Sequence, residues 1–424
     1  MDLSQVKPTR SEWQNLEIPV SDQEKKVLKL LMMGYKTPHI RKNFNLSIAS
    51  FMKMQESAMD TFIYTEFFQE TLQNLSHSLL QFSNTPKVPT PCLKKGNIKS
   101  ADKIRIEQMK KNILSSKDSI YEFVLIHYIE LAIKSFTIDR TRHYCQHVYT
   151  LLQLQKTASV EHVNTWVQTF VNDIITFFRP HINVVDIVYN AVSTMEQNAA
   201  LIQYADWTLY SHQKELFQLF HDPESNHIPR LVMYIAPTGT GKTLSPIALS
   251  QSHCILFVCS ARHVGLGLAK AAISMEKRVA FAYGCDTAED IRLHNFAAVD
   301  YSVHRKSGAI WKVDNSNGSR VEIMICDIKS YLIAMQYMLE FHPLESLILY
   351  WDEPTITMDY ETHPLHDIIH RNWRDNRIPK IVLSCATLPK PEEITQTLNN
   401  FQCHFEQGEI HTILSHDCRK TISV

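Results

Sequence analysis

The stretch Ala236-Pro237-Thr238-Gly239-Thr240-Gly241-Lys242-Thr243 combines two glycines, a lysine and a following hydroxyl residue. Glycines at 239 and 241 let backbone N–H groups curl round an anion without Cβ clashes. The apolar run 231–235 precedes them as a strand, and the pattern predicts a helix starting near Lys242, whose N-terminal end attracts negative charge. That chemistry is phosphate binding. Lys242 should reach the β- and γ-phosphates of a nucleoside triphosphate, and the Thr243 hydroxyl should help hold Mg²⁺. Ala236 stands where the general form of such loops has glycine.

A second group is Asp352-Glu353, directly after the apolar run 347–351. A parallel strand delivers the side chains that follow it to the ligand edge of its sheet. Asp352 is the expected Mg²⁺ carboxylate, and Glu353 the expected base or water-positioner. Asp-Glu-Pro is also ordinary turn chemistry, but here it follows a phosphate loop and a hydrophobic strand. A third group, Ser384-Cys385-Ala386-Thr387-Leu388-Pro389, follows the run 381–383. Upstream, Leu209-Tyr210-Ser211-His212-Gln213 opens an amphipathic segment leading to the first strand.

These groups need a scaffold that brings strand ends together. Runs at 231–235, 254–259, 279–283, 321–326, 347–351 and 381–385 read as buried strands with helical segments between most of them, an α/β lobe with a mostly parallel sheet. A β-hairpin insertion is expected where Trp311-Lys312-Val313 and Arg320-Val321-Glu322 flank Asn315-Ser316-Asn317-Gly318. Of ten glycines, only Gly34 and Gly96 precede residue 230. The first 205 residues have helical spacing instead, an all-α region read as 1–84, a Pro-rich linker 85–99, and an accessory domain 100–205. Within it, a helix from Glu24 to Met33 with Val27, Leu28, Leu30 and Leu31 inward, stopped by Gly34, a short helix after Thr37-Pro38 and a helix capped by Ser47 have helix-turn-helix spacing. It resembles the DNA-binding domains of bacterial response regulators over that short stretch; a plain three-helix packing element fits as well. The basic stretch Lys87 to Lys111 could track a phosphate backbone or be a solvated linker and helix face.

The segments over 207–390, in their order, resemble superfamily 2 helicases of the DExD/H-like kind. The resemblance implies a RecA-like lobe that binds ATP with Mg²⁺ and, in the intact motor, hydrolyses it to unwind or remodel RNA or DNA. It implies that Gln213 contacts adenine, and that Ser384, Ala386 and Thr387 couple the acidic pair to nucleic acid. Ser260-Ala261-Arg262-His263-Val264-Gly265-Leu266-Gly267 and Asp327-Ile328-Lys329-Ser330 occupy the places where the family grips a single strand. Arg262, Gly265, Lys270, Lys329 and Ser330 are the expected contacts. Two departures stand out. The acidic motif reads Asp-Glu-Pro-Thr, which leaves the subfamily and the choice of RNA or DNA open. Residues 388–424 are too few for the second RecA-like lobe, so a longer protein or another chain is expected to supply it. The sparse glycine and Asn/Lys-rich helices resemble helicases of large DNA viruses. A P-loop ATPase acting without nucleic acid and a non-hydrolysing binding module are the alternatives.

The formal net charge of -1 excludes a polycation, so any nucleic-acid contact must come from local patches. The nine cysteines form no CxxC pair, and the 21 histidines form no ligand-spaced cluster, which argues against a structural zinc site and for reduced thiols. No apolar run reaches the ~18–20 residues of a membrane span. The expected setting is the cytoplasm, nucleus or virion, with no membrane partner.

Overall fold

The computed structural model describes residues 6–54, 57–91, 100–139, 141–221, 227–303 and 310–416. The chain forms two compact units, Met1–Ile40 with Thr208–Val424, and Arg41–Trp207.

The first unit is α/β. Its eight-stranded sheet contains β1 (Arg230–Ile235), β2 (Cys254–Cys259), β3 (Val279–Ala282), β4 (Arg292–Leu293), β5 (Ile323–Cys326), β6 (Leu347–Asp352), β7 (Lys380–Cys385) and β8 (Glu409–Leu414). Their order across the sheet is β8-β1-β7-β6-β2-β5-β3-β4, and every pair is parallel except β3 with β4. β3, β5, β6 and β7 are buried at every position, as a parallel sheet covered on both faces requires. From β1 the chain passes over two strands, β7 and β6, to reach β2, while β8 lies on the other side of β1. The C-terminal end of β1 is therefore next to a change of direction in the strand order, the usual position of a ligand crevice.

The helices of this unit are α1 (Arg10–Leu16), α2 (Asp22–Lys36), α3 (Ser211–His221), α4 (Ser245–Leu249), α5 (Arg262–Ser274), α6 (Tyr331–Phe341), α7 (His366–Arg374) and α8 (Thr395–His404). α2 packs on α3 and α4, and α1 packs on α5. Leu28, Leu30 and Leu31 of α2 are buried as its periodicity predicts. Gly34 does not stop α2, which continues to Lys36. The glycine is a packing site, since a Cβ there would lie 2.3 Å from Leu209 Cδ1. The residues after Pro38 form the two-residue strand Arg41–Lys42 rather than a short helix. The Ser47-capped helix, Ile48–Phe51, has four residues and belongs to the other unit. The helix-turn-helix expectation is thus overturned: one of its helices is absent and the remaining two fall in different compact units.

The expected hairpin is also corrected. Tyr301–Val303 pairs antiparallel with Ile310–Val313, and residues 314–319 instead form a polar turn whose Asp314 and Asn317 side chains accept from Ser316 N and Ser319 N. β8 went unpredicted because this edge strand, mostly exposed or half-buried, lacks the long apolar run of the central strands.

The second unit is helical, with long helices Ser100–Ser115, Tyr121–Thr137, Tyr144–Thr157 and Thr165–Phe178. Their apolar faces share one core containing Ile129, Leu151, Phe170 and Phe178. Buried Glu122 accepts hydrogen bonds from Ile48 N at 2.9 Å and Asn164 N at 3.1 Å, tying the starts of two helices together. Lys94, Lys95 and Lys99 of the basic stretch, with the rest of 92–99, lie outside the described residues. Among the described residues no helix is long and apolar enough to cross a membrane.

Candidate functional site

The sheet register brings three motifs level. Ile235 pairs with Cys385, Ser384 with Asp352, and Asp352 with Cys259. The phosphate loop, the acidic pair and the Ser384 segment therefore leave three adjacent strands at the same edge. Cross-links hold them there. Ala236 N donates to Cys385 O at 3.3 Å, Glu353 N to Ser384 O at 2.8 Å, and Tyr350 OH to Lys242 O at 2.8 Å.

The loop has the backbone its glycines permit. Gly239 and Gly241 have φ of 81° and 80°, in the left-handed region. A 3₁₀ turn, Lys242–Leu244, leads into α4, so the helix begins where the sequence places it. Lys242 is buried and its ammonium donates to Ala236 O and to Pro237 O, the latter at 3.3 Å. Burial lowers its pKa, while Glu353 and Asp352 oppose that shift. Thr240 Oγ1 bonds Pro237 O at 2.8 Å, closing the loop on itself. Thr238 and Gly239 are exposed, and Thr243 is half-buried.

Gln213 is buried behind this loop. Its Nε2 donates to Thr240 O at 3.1 Å and its Oε1 accepts from Tyr210 N at 3.1 Å. The side chain thus braces the phosphate loop and the first turn of α3 together. A Cβ on Gly241 would sit 3.0 Å from that same Nε2.

Asp352 is 5% exposed. Burial, helped by neighbouring Glu353, pushes its pKa up to about 6, against the pull of Lys242 and Ser384. Ser384 Oγ lies 3.4 Å from Asp352 Oδ1, a weak hydrogen bond. Glu353 has φ of 53°, an uncommon backbone for a side chain of its size and the kind of strain that collects at functional sites. Its carboxylate accepts from the Cys385 thiol, Sγ to Oε2 2.7 Å. Cys385 also contacts Thr355 Oγ1 and Thr387 O, each at 3.3 Å. The sequence pattern assigned roles to Ser384, Ala386 and Thr387 but none to Cys385. The signal was its place at the end of an apolar strand beside Ser384. Ala386 is half-buried and Thr387 exposed.

The donor set fits a magnesium nucleotide better than a protein-only metal cage. Among the described residues no three His, Cys, Asp or Glu side chains gather for a metal. Mg²⁺ is commonly held by one or two carboxylates together with substrate phosphates, and Asp352 is a buried carboxylate on the strand edge shared with the phosphate loop. Asp352 and Thr243 are the residues that would hold it.

The expected strand contacts divide. Arg262, at the start of α5, is half-buried, with its guanidinium 4.8 Å from the centre of the Tyr283 ring. Its fork meets Glu12, Nε to Oε1 at 2.8 Å and Nη2 to Oε2 at 2.9 Å. Lys270 is half-buried and Lys329 exposed. Gly265 and Ser330 are corrections. Gly265 is buried, and a Cβ there would come 1.9 Å from Tyr283 OH, so its smallness serves helix-on-sheet packing. Ser330 is fully buried and its Oγ accepts from Cys285 N at 2.9 Å, so it fixes the end of β5 to the segment after β3.

No protein-family model matches the chain, and no curated protein matches it significantly.

Proposed function

We propose that this chain supplies the ATP-binding lobe of an ATP-dependent nucleic-acid motor of the superfamily 2 kind, hydrolysing ATP to unwind or remodel RNA or DNA. The observation that carries the reading is the level arrangement of the phosphate loop, Asp352-Glu353 and the Ser384–Thr387 segment on adjacent strands β1, β6 and β7. Lys242 would exchange its loop carbonyls for β- and γ-phosphate oxygens. Asp352 and Thr243 would hold Mg²⁺, and Glu353 would orient the attacking water and take its proton.

The test is Mg-ATP turnover by the full chain, with and without single-stranded RNA and DNA, using Lys242→Ala as the blank. Turnover that a strand stimulates and Lys242→Ala loses supports the reading. Loss of one essential electrostatic group typically costs ~10²–10³ in rate. Equal turnover by both proteins sinks it.

A second reading, an ATPase that acts without nucleic acid, draws on the inward roles of Gly265 and Ser330 and the Glu12 carboxylate on Arg262. Lys242-dependent turnover that no strand alters would favour it.

A further inference from the structure

The residues at the edge beyond β2 are covered by the start of the chain. Arg262 follows β2 by three positions, on the same sheet edge as Asp352. Its guanidinium lies over the Tyr283 ring and donates to both oxygens of Glu12 and to Val6 O. A carboxylate and a phosphodiester present the same two-oxygen edge to that fork. Glu12 is also shared: its Oε2 accepts from Thr9 N at 2.7 Å as the capping-box residue of α1.

One residue on, Trp13 packs against aromatic rings. Its indole meets Phe281 edge-on at 5.2 Å and lies 16° from parallel with His294, centroids 6.3 Å apart. Phe296 packs on His294 at 4.7 Å and is 41% exposed. Glu17 bonds His294 Nε2 at 3.0 Å, and Lys7 pairs with Asp290, so α1 is pinned at both ends. The Arg262 and Glu12 side chains are 22% and 24% exposed, so solvent reaches the edge of the pair.

An arginine beside aromatic rings is the composition of a single-strand surface, with phosphate on the guanidinium and a base on a ring; with α1 docked, Phe281, Tyr283 and His294 are buried here and, of these rings, Phe296 is the exposed one. We infer that residues 6–17 are an intramolecular stand-in for a nucleotide of a single strand: the Glu12 carboxylate takes the place of a phosphate on Arg262, the Trp13 indole takes the place of a base against His294, and strand and α1 exclude one another. This rests on the nucleic-acid reading above and adds its regulation.

The experiment is fluorescence anisotropy of the full chain with labelled oligouridylate and oligothymidylate of about 12 nucleotides at low salt, for wild type, Glu12→Gln, Trp13→Ala, Arg262→Ala and the Glu12→Gln/Arg262→Ala pair. Hydrogen exchange of residues 6–20 is followed in parallel. Glu12→Gln and Trp13→Ala should tighten strand binding about tenfold, as expected if the covered state is about nine-tenths populated. Arg262→Ala should weaken it and cancel the gain, and the strand should speed exchange over 6–20. Strand binding by wild type that neither Glu12→Gln nor Trp13→Ala changes, with 6–20 equally protected, overturns the inference and leaves the nucleic-acid reading standing. No strand binding by any variant, in proteins that melt like wild type, overturns both.

Discussion

The thiol of Cys385 points at the carboxylate of Glu353, Sγ to Oε2 2.7 Å, and so fastens the proposed water-activating group to the neighbouring strand. Burial and Glu353 together raise the thiol's pKa, so it stays protonated and donates. Glu353 begins from a strained backbone, and the thiol restricts where its side chain can point.

Cys385→Val keeps the volume near the original and removes the donor. It should lower kcat about tenfold, the lower range for removing an orienting partner, with KM for ATP little changed. Cys385→Ser restores a donor and should recover most of the loss. Equal activity of Cys385→Val and wild type would show that the thiol does not orient Glu353.

Asp352 makes a stability prediction with an unusual sign. Its folded pKa is about 6, above the ordinary 3.8, because burial and Glu353 disfavour the charge. Between about pH 4 and 6 the folded state binds more protons than the unfolded one, so this group's stability contribution is lost as pH rises through that window. The difference corresponds to ~3 kcal/mol. Asp352→Asn should therefore melt higher than wild type at pH 7 while losing ATP turnover, and should lose less stability between pH 4 and 7. Added Mg²⁺-nucleotide should stabilise wild type and not the variant. Thermal melts at three pH values decide it.

Two glycines two residues apart on α5 should behave oppositely. At Gly265 a Cβ would meet Tyr283 Oη at 1.9 Å, Cys259 Sγ at 2.8 Å and Ile325 Cγ2 at 3.0 Å. Gly265→Ala should cost about 1–3 kcal/mol by overpacking. At Gly267 nothing lies within 4 Å of that position, so Gly267→Ala should gain up to about 1 kcal/mol from helix propensity. Urea unfolding of both variants tests this, and equal destabilisation would refute the packing role assigned to Gly265.

The same pair explains what the sequence could and could not disclose. The six central strands were legible because parallel strands buried on both faces are continuous apolar runs, and the motifs at their ends inherit positions from those runs. Gly265 looked like a strand contact because a glycine after a strand reads alike whether it admits a phosphate or a tyrosine. Ser330 misled for the same reason: only the fold turns its hydroxyl inward to Cys285 N. The contact of Glu12 with Arg262 joins residues 250 positions apart, and no local pattern encodes it.

Gln213 provides the last test, because two roles predict different nucleotide selectivity. Family resemblance assigns it to adenine. In the structure its amide is engaged by the protein on both sides, with Nε2 on Thr240 O and Oε1 on Tyr210 N. A brace of this kind acts on the phosphate loop, which every nucleoside triphosphate shares. An adenine contact acts on the base alone. If bracing dominates, Gln213→Ala should weaken ATP and GTP binding by a similar factor, about five- to thirtyfold for 1–2 kcal/mol, and lower the melting temperature as well, since Thr240 O and Tyr210 N lose their partner. If the base contact dominates, ATP binding should fall, GTP binding should hold, and the melting temperature should move little. Gln213→Glu sharpens the comparison: it keeps an acceptor for Tyr210 N but places a carboxylate against Thr240 O, so the brace should fail on the loop side and survive on the helix side. Titration of both nucleotides into these two variants, alongside their melts, decides between them, and an ATP-selective loss would return Gln213 to the base.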